Sequence, residues 1–377
     1  MLRNYLKIAW RNLVKNKFYS AINITGLGIG VAVGIMILLW VQDEMSFDRF
    51  HHNSDNIYKI NSHLGTGTGA GVWEGSPGPL AVFCKQSIPE VVNAVRMDNI
   101  NQQLLFTYQD KKFTESKLGF VDSTFFSLFD FNLLEGNVTK PFTDMHSIIL
   151  TLSEAKKYFG DPKIALGKIL VTDQGNFTVS GVMEDFPENS SFQYSMLLPF
   201  SLDNDFFVKS GGNGDWKTID EDLGSFAYQT YIQVQNGTSP ETIAKKITKI
   251  FRDKKGSDAK DDFFTLQPLN TRHLVAADGS SSALQTVRIF LIAAILILLI
   301  ASINYVNLST ARSTLRSKEV SMRKIIGAAR HQLFIQFIIE SALLLLIATI
   351  VAFFIIYLLF PLYNEISGKH LVFTLDA

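Results

Sequence analysis

The residues of this chain that could do chemistry are few, and most of them lie in two places. Residues 65–71 alternate glycine with threonine and alanine, as phosphate-binding loops do, but no Gly-Lys-Ser/Thr sequence follows. We therefore favour a flexible loop there. His51 and His52 lie close in sequence to Asp48 and Asp55, which suggests a metal ligand set. Because adjacent histidines point in different directions on a regular element, we expect a solvated pair instead.

No other motif in the sequence points to catalysis. It has no Gly-x-Ser-x-Gly elbow, no His-Glu-x-x-His pair and no cysteine cluster. Cys84 is the single cysteine, so no internal disulfide can form, and we interpret it as a buried structural thiol. The sequence therefore predicts no catalytic residue, no bound metal and no cofactor, and we do not expect this chain to be an enzyme.

The charges are balanced overall but sorted along the chain. The 35 basic and 35 acidic residues give a net charge of zero. Residues 1–40 contain five basic residues and no acid, residues 288–377 contain eight basic and four acidic residues, and residues 41–287 contain 22 basic and 31 acidic residues. Such sorting is typical of a membrane protein with one large translocated domain. A large acidic domain would repel phosphates, which disfavours nucleic acid as a partner.

Three stretches are long and apolar enough to cross a bilayer. Residues 18–42, 289–311 and 341–364 carry no charged side chain, and each exceeds the length of about 20 residues that a spanning helix needs. We predict transmembrane helices at 18–42, 288–311 and 332–364. The first is longer than the apolar core of a signal peptide and lacks a cleavage site, so we interpret it as an uncleaved anchor.

The charges beside these spans predict the topology. A basic N-terminus (1–17) stays in the cytoplasm, and residues 43–287 form an extracytoplasmic domain. The basic segment 312–331 returns to the cytoplasm, and a stub (365–377) lies outside again. The expected location is the inner membrane of the cell, as a multi-pass protein with the lipid bilayer as a partner.

The spans also contain small and acidic residues with a defined spacing. Gly26, Gly30 and Gly34 recur every four residues, which lets two helix backbones approach closely, and we interpret them as a helix-packing face. Glu340 lies about 15 Å along a helix from Arg330. Its carboxylate either pairs with a neighbouring helix or reaches back to the headgroups and the basic residues near Arg330.

The edges of the extracytoplasmic domain show two similar strand–helix–strand patterns. One comprises residues 57–60, 79–87 and 91–97, and the other comprises residues 228–235, 239–253 and 263–267. Two such units commonly make a split βαβ sandwich, here a porter-like subdomain. The fold class that we predict is therefore a membrane protein with three α-helical spans and a large α+β extracytoplasmic domain.

Between the two units the chain changes to short strands. Residues 103–108 and 113–121 flank one turn sequence, and residues 169–172 and 177–182 flank another, as hairpins do. Thr151 and Glu154 have the spacing of a capping box that opens a short helix. We interpret this part as a β-rich insertion.

The segment 311–331 is a short basic stretch between two predicted spans. Its basic residues are Arg312, Arg316, Lys318, Arg323, Lys324 and Arg330, and its one acid is Glu319. On a helix, an apolar stripe would form from Met322, Ile325, Ile326, Ala329 and Leu333. Gly327 can instead end a short helix before the third span. Composition alone favours a basic anchor at the lipid headgroups over a short helix gripped by a partner protein.

A family resemblance is carried by the order of several short sequences. They are 5–17 and 22–30 at the first span, 43–48 with Ile57-Tyr58, Ser123-Thr-Phe-Phe-Ser-Leu-Phe129 with Leu134-Glu-Gly136, Leu152-Ser-Glu-Ala155 with Tyr158-Phe-Gly160, and Arg316-Ser-Lys-Glu319 with Arg323-Lys-Ile-Ile-Gly-Ala328, Gln336-Phe337 and Glu340. In this order they resemble the MacB/FtsX-type permeases of type VII ABC transporters, particularly the long permeases of Bacteroidota. The middle sequences resemble the MacB-type periplasmic core domain, and the last ones resemble the FtsX-type segment, here 288–377.

The resemblance implies a role for the basic segment. In that family the first cytoplasmic loop carries a coupling helix that docks on an ATPase subunit, and the matching positions here are 318–327. The residues so assigned to ATPase coupling are Lys318, Glu319, Met322, Arg323, Lys324, Ile325 and Gly327. The implied mechanism is mechanotransmission, in which ATP-driven dimerisation of the ATPase moves the helices and reshapes the periplasmic domain.

Two departures from the family pattern qualify this expectation. No ATPase domain is fused to the chain, so ATP hydrolysis is expected from a separate ABC ATPase subunit. The fourth helix of a family half is missing, so we expect a truncated piece or the first part of a larger permease.

The function that the resemblance implies is export or extraction of an antimicrobial peptide, a macrolide-like compound or lipid-linked cargo. We expect a homodimer or pseudo-dimeric permease, with a periplasmic adaptor or outer-membrane channel as a further partner. The alternative is an FtsX-like signalling subunit that controls a cell-wall hydrolase or a sensor kinase without transport.

Overall fold

The computed structural model describes residues 2–65, 71–100, 102–315, 321–322, 325 and 330–369. It divides into two compact units, which we call the membrane unit (Met1–Met45 and Leu284–Ala377) and the sheet domain (Ser46–Ala283). The glycine-rich segment is described only at its ends, Gly65 and Gly71, so the flexible loop that we expect at 66–70 lies outside the described residues.

The helices and strands of the described residues are numbered in chain order. The α-helices are α1 (Leu2–Lys15), α2 (Lys17–Ser46), α3 (Leu80–Ser87), α4 (Phe125–Leu128), α5 (Leu152–Phe159), α6 (Phe200–Lys209), α7 (Pro240–Lys255), α8 (Ser282–Leu315) and α9 (Arg330–Ser367). The strands are β1 (Ile57–Leu64), β2 (Gly71–Trp73), β3 (Val91–Ile100), β4 (Leu104–Tyr108), β5 (Lys111–Glu115), β6 (Leu118–Val121), β7 (Leu133–Glu135), β8 (Ser147–Thr151), β9 (Ile169–Thr172), β10 (Gly175–Met183), β11 (Met196–Pro199), β12 (Gln229–Val234) and β13 (Phe263–Pro268).

Three of these helices confirm the predicted spans. Among the described residues, the segments long and apolar enough to cross a membrane are Lys17–Ser46, Ser282–Ala311 and His331–Ser367. Within such segments every backbone N–H and C=O must bond inside its own helix, because hydrocarbon offers no partner. The uninterrupted course of α2 and α8 meets that requirement, whereas in α9 Pro361 lies inside the helix and removes one N–H from its hydrogen-bond ladder.

The sheet domain is built on one mixed sheet, whose strand order is β13-β1-β12-β3-β6-β11-β8-β10-β9-β4-β5. Its first four strands are all antiparallel to their neighbours. They come from two interleaved units, β1–α3–β3 and β12–α7–β13, so each unit holds a strand of the other between its own two. This arrangement confirms the split βαβ subdomain.

The central strands of the split βαβ subdomain are buried on both faces. Tyr58, Ile60 and Ile232 pack with α3 and α7 on one face, while Ile57 and Tyr231 join a core of phenylalanines on the other. Successive side chains of a strand point to opposite faces, so β1 and β12 contribute to two cores at once. Because both faces are buried, β1 and β12 carry large apolar side chains at successive positions, and this pattern made them recognisable as strands in the sequence.

The β-rich insertion joins the same sheet beyond β3, and one predicted strand is wrong. Residues 113–121 form two strands, because β5 pairs with β4 in a hairpin, whereas β6 lies between β3 and β11. The break falls at Ser116 and Lys117, where the chain changes from one neighbour to another. The second hairpin forms as predicted, between β9 and β10. Thr151 caps α5 as predicted, accepting a bond from the backbone N–H of Glu154.

The histidine pair also differs from expectation, because only one of the two is solvated. His51 is buried among phenylalanines, and its Nδ1 accepts a hydrogen bond from the N–H of Asp130 at 3.0 Å. Burial lowers the pKa of His51 to about 4, and the nearby Asp130 carboxylate opposes this only in part. Among the described residues no group of three or more His, Cys, Asp or Glu could hold a metal ion. His51 is therefore a core histidine.

Helix α6 places an uncompensated carboxyl group in the sheet domain. Oδ2 of Asp203 is buried and has no hydrogen-bond partner among the described residues. Burial raises the pKa of Asp203 to about 7; Asp98 on β3 adds to the shift and Arg96 opposes it. Burial also raises the pKa of Asp98 to about 6. Ionising these acids at neutral pH costs the folded domain stability.

We expect Asp203→Asn to remove part of the pH dependence of stability. A carboxyl group whose pKa is raised by folding binds its proton more tightly in the folded state, so the free energy of unfolding falls as pH rises from about 4 to about 7. Thermal unfolding of the full chain in detergent should therefore give the variant a higher Tm at pH 8, by about 2–4 °C. The difference should shrink as the pH is lowered towards about 4, below which Asp203 is protonated in both the folded and the unfolded state. The exposed-site control Asp215→Asn should behave as wild type at both ends of this range, and an equal shift at about pH 4 and at pH 8 would contradict this account.

Candidate functional site in the membrane unit

The glycines of α2 set a close approach to α8. A Cβ atom at Gly30 would lie 2.6 Å from Cβ of Ala301, and one at Gly34 would lie 2.9 Å from the side chain of Leu298. At Gly26 the neighbour is Nδ2 of Asn304, at 3.3 Å. The first two distances leave no room for a side chain, so the two helix backbones meet at glycine positions.

The opposite face of α2 packs against α9. A Cβ atom at Gly28 would lie 3.1 Å from Cγ1 of Val351 and 3.2 Å from the carbonyl oxygen of Ala348. Further along, Ala32 is buried together with Ala352. Helix α2 therefore contacts both other spans through small residues, on two faces. We call this set of contacts the α2 seam.

Large apolar side chains of α8 and α9 point away from the α2 seam. The most exposed of them in the described residues include Ile289, Ile300, Phe334, Ile350, Phe354 and Tyr357. Hydrocarbon tails solvate such side chains as well as a protein core does. These faces suit contact with lipid.

Helix α1 is an element that the basic composition of 1–17 did not predict. Its Ala9 and Leu13 are buried, and the helix packs against α9. Nδ2 of Asn12 donates to Oε2 of Glu340 at 3.4 Å. Glu340 is only 6% exposed. Of the two alternatives for Glu340, this contact agrees with pairing to a neighbouring helix, because α1 packs against α9 and Asn12 bonds to the carboxylate.

The outer faces of α1 carry two stripes of side chains, one basic and one apolar. Placing residues 1–17 on a helix would have predicted both from the sequence. The basic residues Arg3, Lys7, Arg11 and Lys15 are exposed at four-residue spacing. Leu6, Trp10 and Val14 form a parallel apolar stripe that is also exposed. Cationic and apolar stripes side by side are typical of a helix lying at a membrane surface.

The predicted coupling segment is described only in part. Lys318, Glu319, Arg323, Lys324 and Gly327 lie outside the described residues. The two apolar members that are described, Met322 and Ile325, are 64% and 84% exposed. Within the described part of the chain, they are open to a partner or to lipid.

At the far end of α9, Lys369 forms an ionic cluster with α2. Its Nζ contacts Asp43 and lies 2.6 Å from Oε1 of Glu44. The same ammonium group lies 5.7 Å from the ring centre of Trp40. Lys369 is 326 positions from Asp43 and 325 from Glu44 in the sequence. No local sequence pattern could therefore have predicted the cluster.

A second polar arrangement lies in the sheet domain, where the chain leaves α2. Nδ2 of Asn189 donates to the Oγ of Ser46 at 2.9 Å, and the N–H of Asp48 donates to the carbonyl of Asn189. The carboxylate of Asp48 is fully buried and accepts from the N–H of Ser191 at 2.8 Å. Burial raises the pKa of Asp48, although its bonds to Ser191 oppose the shift. We call Ser46, Asp48, Asn189 and Ser191 the exit clamp.

The two chain connections of the sheet domain touch each other beside the exit clamp. Phe47, which follows α2, stacks on His273, which precedes α8, with ring centres 3.5 Å apart and an interplanar angle of 4°. The strands next to these residues, β1 and β13, are paired along six register positions. The start and the end of the domain are thus held together.

Comparison with known families identifies the class of protein. The MacB-like periplasmic core domain family matches residues 20–250, and the FtsX-like permease C-terminal family matches residues 291–376. The chain therefore belongs to the MacB/FtsX-type family of ABC transporter permeases. It is an inner-membrane protein with an extracytoplasmic sheet domain, as the resemblance predicts.

Individual relatives agree with this assignment. The chain is 28% identical over 221 residues to the Bacillus subtilis protein described as "Uncharacterized ABC transporter permease YknZ", covering 58% of this chain and 50% of that protein. It is 21% identical over 384 residues to the macrolide export ATP-binding/permease protein MacB of Salmonella typhimurium, covering 100% of this chain and 55% of MacB. The chain thus spans about half the length of the curated relatives it matches.

Solved structures similar to this chain include two bacterial permease domains. A domain of a putative permease from Porphyromonas gingivalis gives a TM-score of 0.48 at 22% identity, covering 58% of this chain and 92% of that one. The periplasmic region of MacB from Actinobacillus actinomycetemcomitans gives 0.38 at 18% identity, covering 56% and 89%.

The α2 seam predicts a specific rescue. Gly30→Ala should destabilise the membrane unit by about 1–3 kcal/mol, since overpacking forces the helices apart. Ala301→Gly removes the atom that the new methyl group meets, so the double variant should recover most of the loss. Thermal stability of the detergent-purified chain measures both effects. Ile29→Ala, at an exposed position of the same helix, is the matched control; a Gly30→Ala protein as stable as this control would contradict the seam.

Proposed function

We propose that the chain is the membrane subunit of a type VII ABC transporter, driven by a separate ATPase. The observation that carries this proposal is the pair of family matches, which follow one another along the chain and cover the sheet domain and the later membrane helices. The first match is to a periplasmic core domain and the second to a permease domain. The MacB relatives, in contrast, are described as ATP-binding/permease proteins, and this chain covers 55% of one of them.

The topology that we propose follows the charges. The exposed basic stripe of α1 and the basic segment 312–331 face the cytoplasm, where positively charged flanks are retained. The net-negative sheet domain faces the opposite side. The acids at the end of α2, Asp43 and Glu44, then meet Lys369 at the outer surface of the membrane.

The ATPase contact is assigned to the coupling segment at 318–327. Arg323, Lys324 and Glu319 supply the charged contacts, and Met322 and Ile325 supply apolar ones. The exposure of Met322 and Ile325 supports this role, since a docking face must be uncovered in the free subunit. Lys318 and Gly327 bound the segment.

Transmission to the sheet domain is assigned to α2. The α2 seam couples this helix to α8 and α9 through close backbone contacts, and the exit clamp fixes the residues that follow it. Because of these contacts, α2 cannot move independently of the residues packed against it. A helix without such contacts could bend or shift by itself. Rigid elements of this kind are what mechanical coupling requires.

The cargo that we propose is exported or extracted from the membrane: an antimicrobial peptide, a macrolide-like compound or a lipid-linked molecule. The name of the MacB relatives, macrolide export protein, supports the second of these. A homodimer or pseudo-dimer would complete the permease, and a periplasmic adaptor or outer-membrane channel would receive the cargo.

Charge reversal in the coupling segment should abolish ATPase binding. We expect Arg323→Glu with Lys324→Glu, and separately deletion of 318–327, to lower co-purification of the ATPase encoded beside this chain at least about tenfold, because the charged docking contacts are lost. A double reversal in the sheet domain, Lys254→Glu with Lys260→Glu, is the matched control and should bind normally.

Unchanged ATPase binding in both coupling variants would show that the segment is not the docking site. Deleting the whole permease tests the function itself. Lost efflux or lost lipoprotein release would support transport, whereas an envelope or division defect with transport intact would indicate a signalling subunit.

A further inference from the structure

Strand β13 forms one edge of the large sheet. It pairs with β1 on one side, and no strand among the described residues pairs with its other side. Helix α7 lies beside this edge. A groove of about 670 Å³ separates the two, lined by residues 240, 241, 244, 245, 248, 249, 252 and 253 of α7 and residues 263–266 of β13. We call it the edge groove.

The backbone of β13 points hydrogen-bonding groups into the edge groove. The N–H of Phe264 donates to Oγ1 of Thr248 on α7 at 3.0 Å, so it faces away from β1. Alternate residues of an antiparallel edge strand face the same way, so the N–H and C=O of Leu266 face outward too. The next such position is Pro268, which has no N–H to satisfy.

Side chains of α7 cover one end of this edge and leave the other open. The carbonyl of Asp262 accepts from Nε of Arg252 at 2.9 Å, and Thr248 takes the N–H of Phe264. The N–H and C=O of Leu266 have no such partner among the described residues. An exposed strand edge with unpaired groups is a template for another strand.

The wall of the edge groove is basic at its centre. Lys245 and Lys249 are exposed and lie one helical turn apart on α7, while the acids Glu241 and Asp253 stand at the two ends. Ala244 lies between the lysines and the sheet, and gives the wall an apolar base. A strand placed here would set alternate side chains against Ala244 and beside the lysines.

We propose that the edge groove binds an extended, acidic polypeptide segment by β-augmentation. The segment hydrogen-bonds to the free N–H and C=O of Leu266 and so becomes the next strand of the sheet. Its apolar side chains pack on the Ala244 base, and its carboxylates meet Lys245 and Lys249. A second copy of this chain would bind less well, because pairing two β13 strands would bring Lys245 and Lys249 of both copies close together, and their like charges would repel. The inference concerns the sheet domain alone and does not rest on the ATPase contact.

The probe is a labelled peptide of alternating acidic and apolar residues, Glu-Val-Glu-Val-Glu-Val, binding to the full chain in lipid nanodiscs. Fluorescence anisotropy compares it with two matched peptides. One has the same sequence with N-methylated backbone amides, which cannot form a ladder, and the other has lysine in place of glutamate. We expect both to bind at least about tenfold more weakly, a difference of about 1.4 kcal/mol.

Protein variants test the same contacts from the other side. Leu266→Pro removes only the outward N–H and keeps the bonds to β1, because an edge strand tolerates proline where its N–H faces solvent. It should weaken binding about tenfold, whereas Leu266→Val should bind as wild type. Lys245→Glu with Lys249→Glu should reverse the preference towards the lysine peptide, and Lys254→Glu, outside the edge groove, should not.

Several results would overturn the proposal. They are equal binding of the N-methylated peptide, unchanged binding by Leu266→Pro, or no binding of the acidic peptide at all. Because the N-methylated peptide needs no protein variant, the test stands even where Leu266→Pro misfolds. A change in sedimentation mass with Leu266→Pro would instead assign the edge to a second copy. ATPase co-purification should be normal in every variant, which separates this failure from that of the coupling segment.

Discussion

The membrane unit depends on how closely α2 can approach its two neighbours. In hydrocarbon, apolar side chains gain nothing by leaving lipid for protein, so helices associate through packing and a few polar contacts. At Gly30 the missing side chain lets α2 meet Ala301 of α8, and at Gly28 it lets the same helix meet Val351 and Ala348 of α9. Any widening on one face would alter the other, because one helix serves both.

Polar contacts hold the membrane unit at the two ends of α9. Near its start, Asn12 bonds to the buried Glu340, and after its end Lys369 meets Asp43 and Glu44. A buried carboxylate in a membrane helix is costly unless it has a partner, and α1 supplies that partner. The seam provides shape, while these contacts fix which residues lie level with one another along the helices.

Much of this architecture could be predicted from the sequence, because strong local signals agreed with the tertiary fold. The spans are recognisable by the length of their apolar stretches. The two strand–helix–strand units are recognisable by alternating apolar residues and by Ser239 and Pro240, which begin α7 as expected. The glycines chosen from four-residue spacing lie against Asn304, Ala301 and Leu298.

The failures have a common physical origin in contacts between distant residues. The burial of His51 depends on Asp130 and on phenylalanines far away in sequence, and the break in residues 113–121 depends on which strands are free to pair. The cover over Glu340 depends on α1, whose sequence reads first as a basic tail. For the predicted coupling segment, the partner could be named only from the family resemblance, because the sequence of one chain does not describe the surface of the ATPase that would bind it.

The interleaving of the two βαβ units has a consequence for how such domains can vary. Residues 57 and 268 are sequentially remote, yet β1 and β13 lie side by side, and Phe47 stacks on His273. The insertion between β3 and β12 extends the sheet away from β13, on the far side of β3. Evolution can therefore lengthen, shorten or replace that insertion without changing the spacing of the two points where the chain joins the membrane helices. The pairing of β1 with β13, and the contact between Phe47 and His273, would be the same in each case.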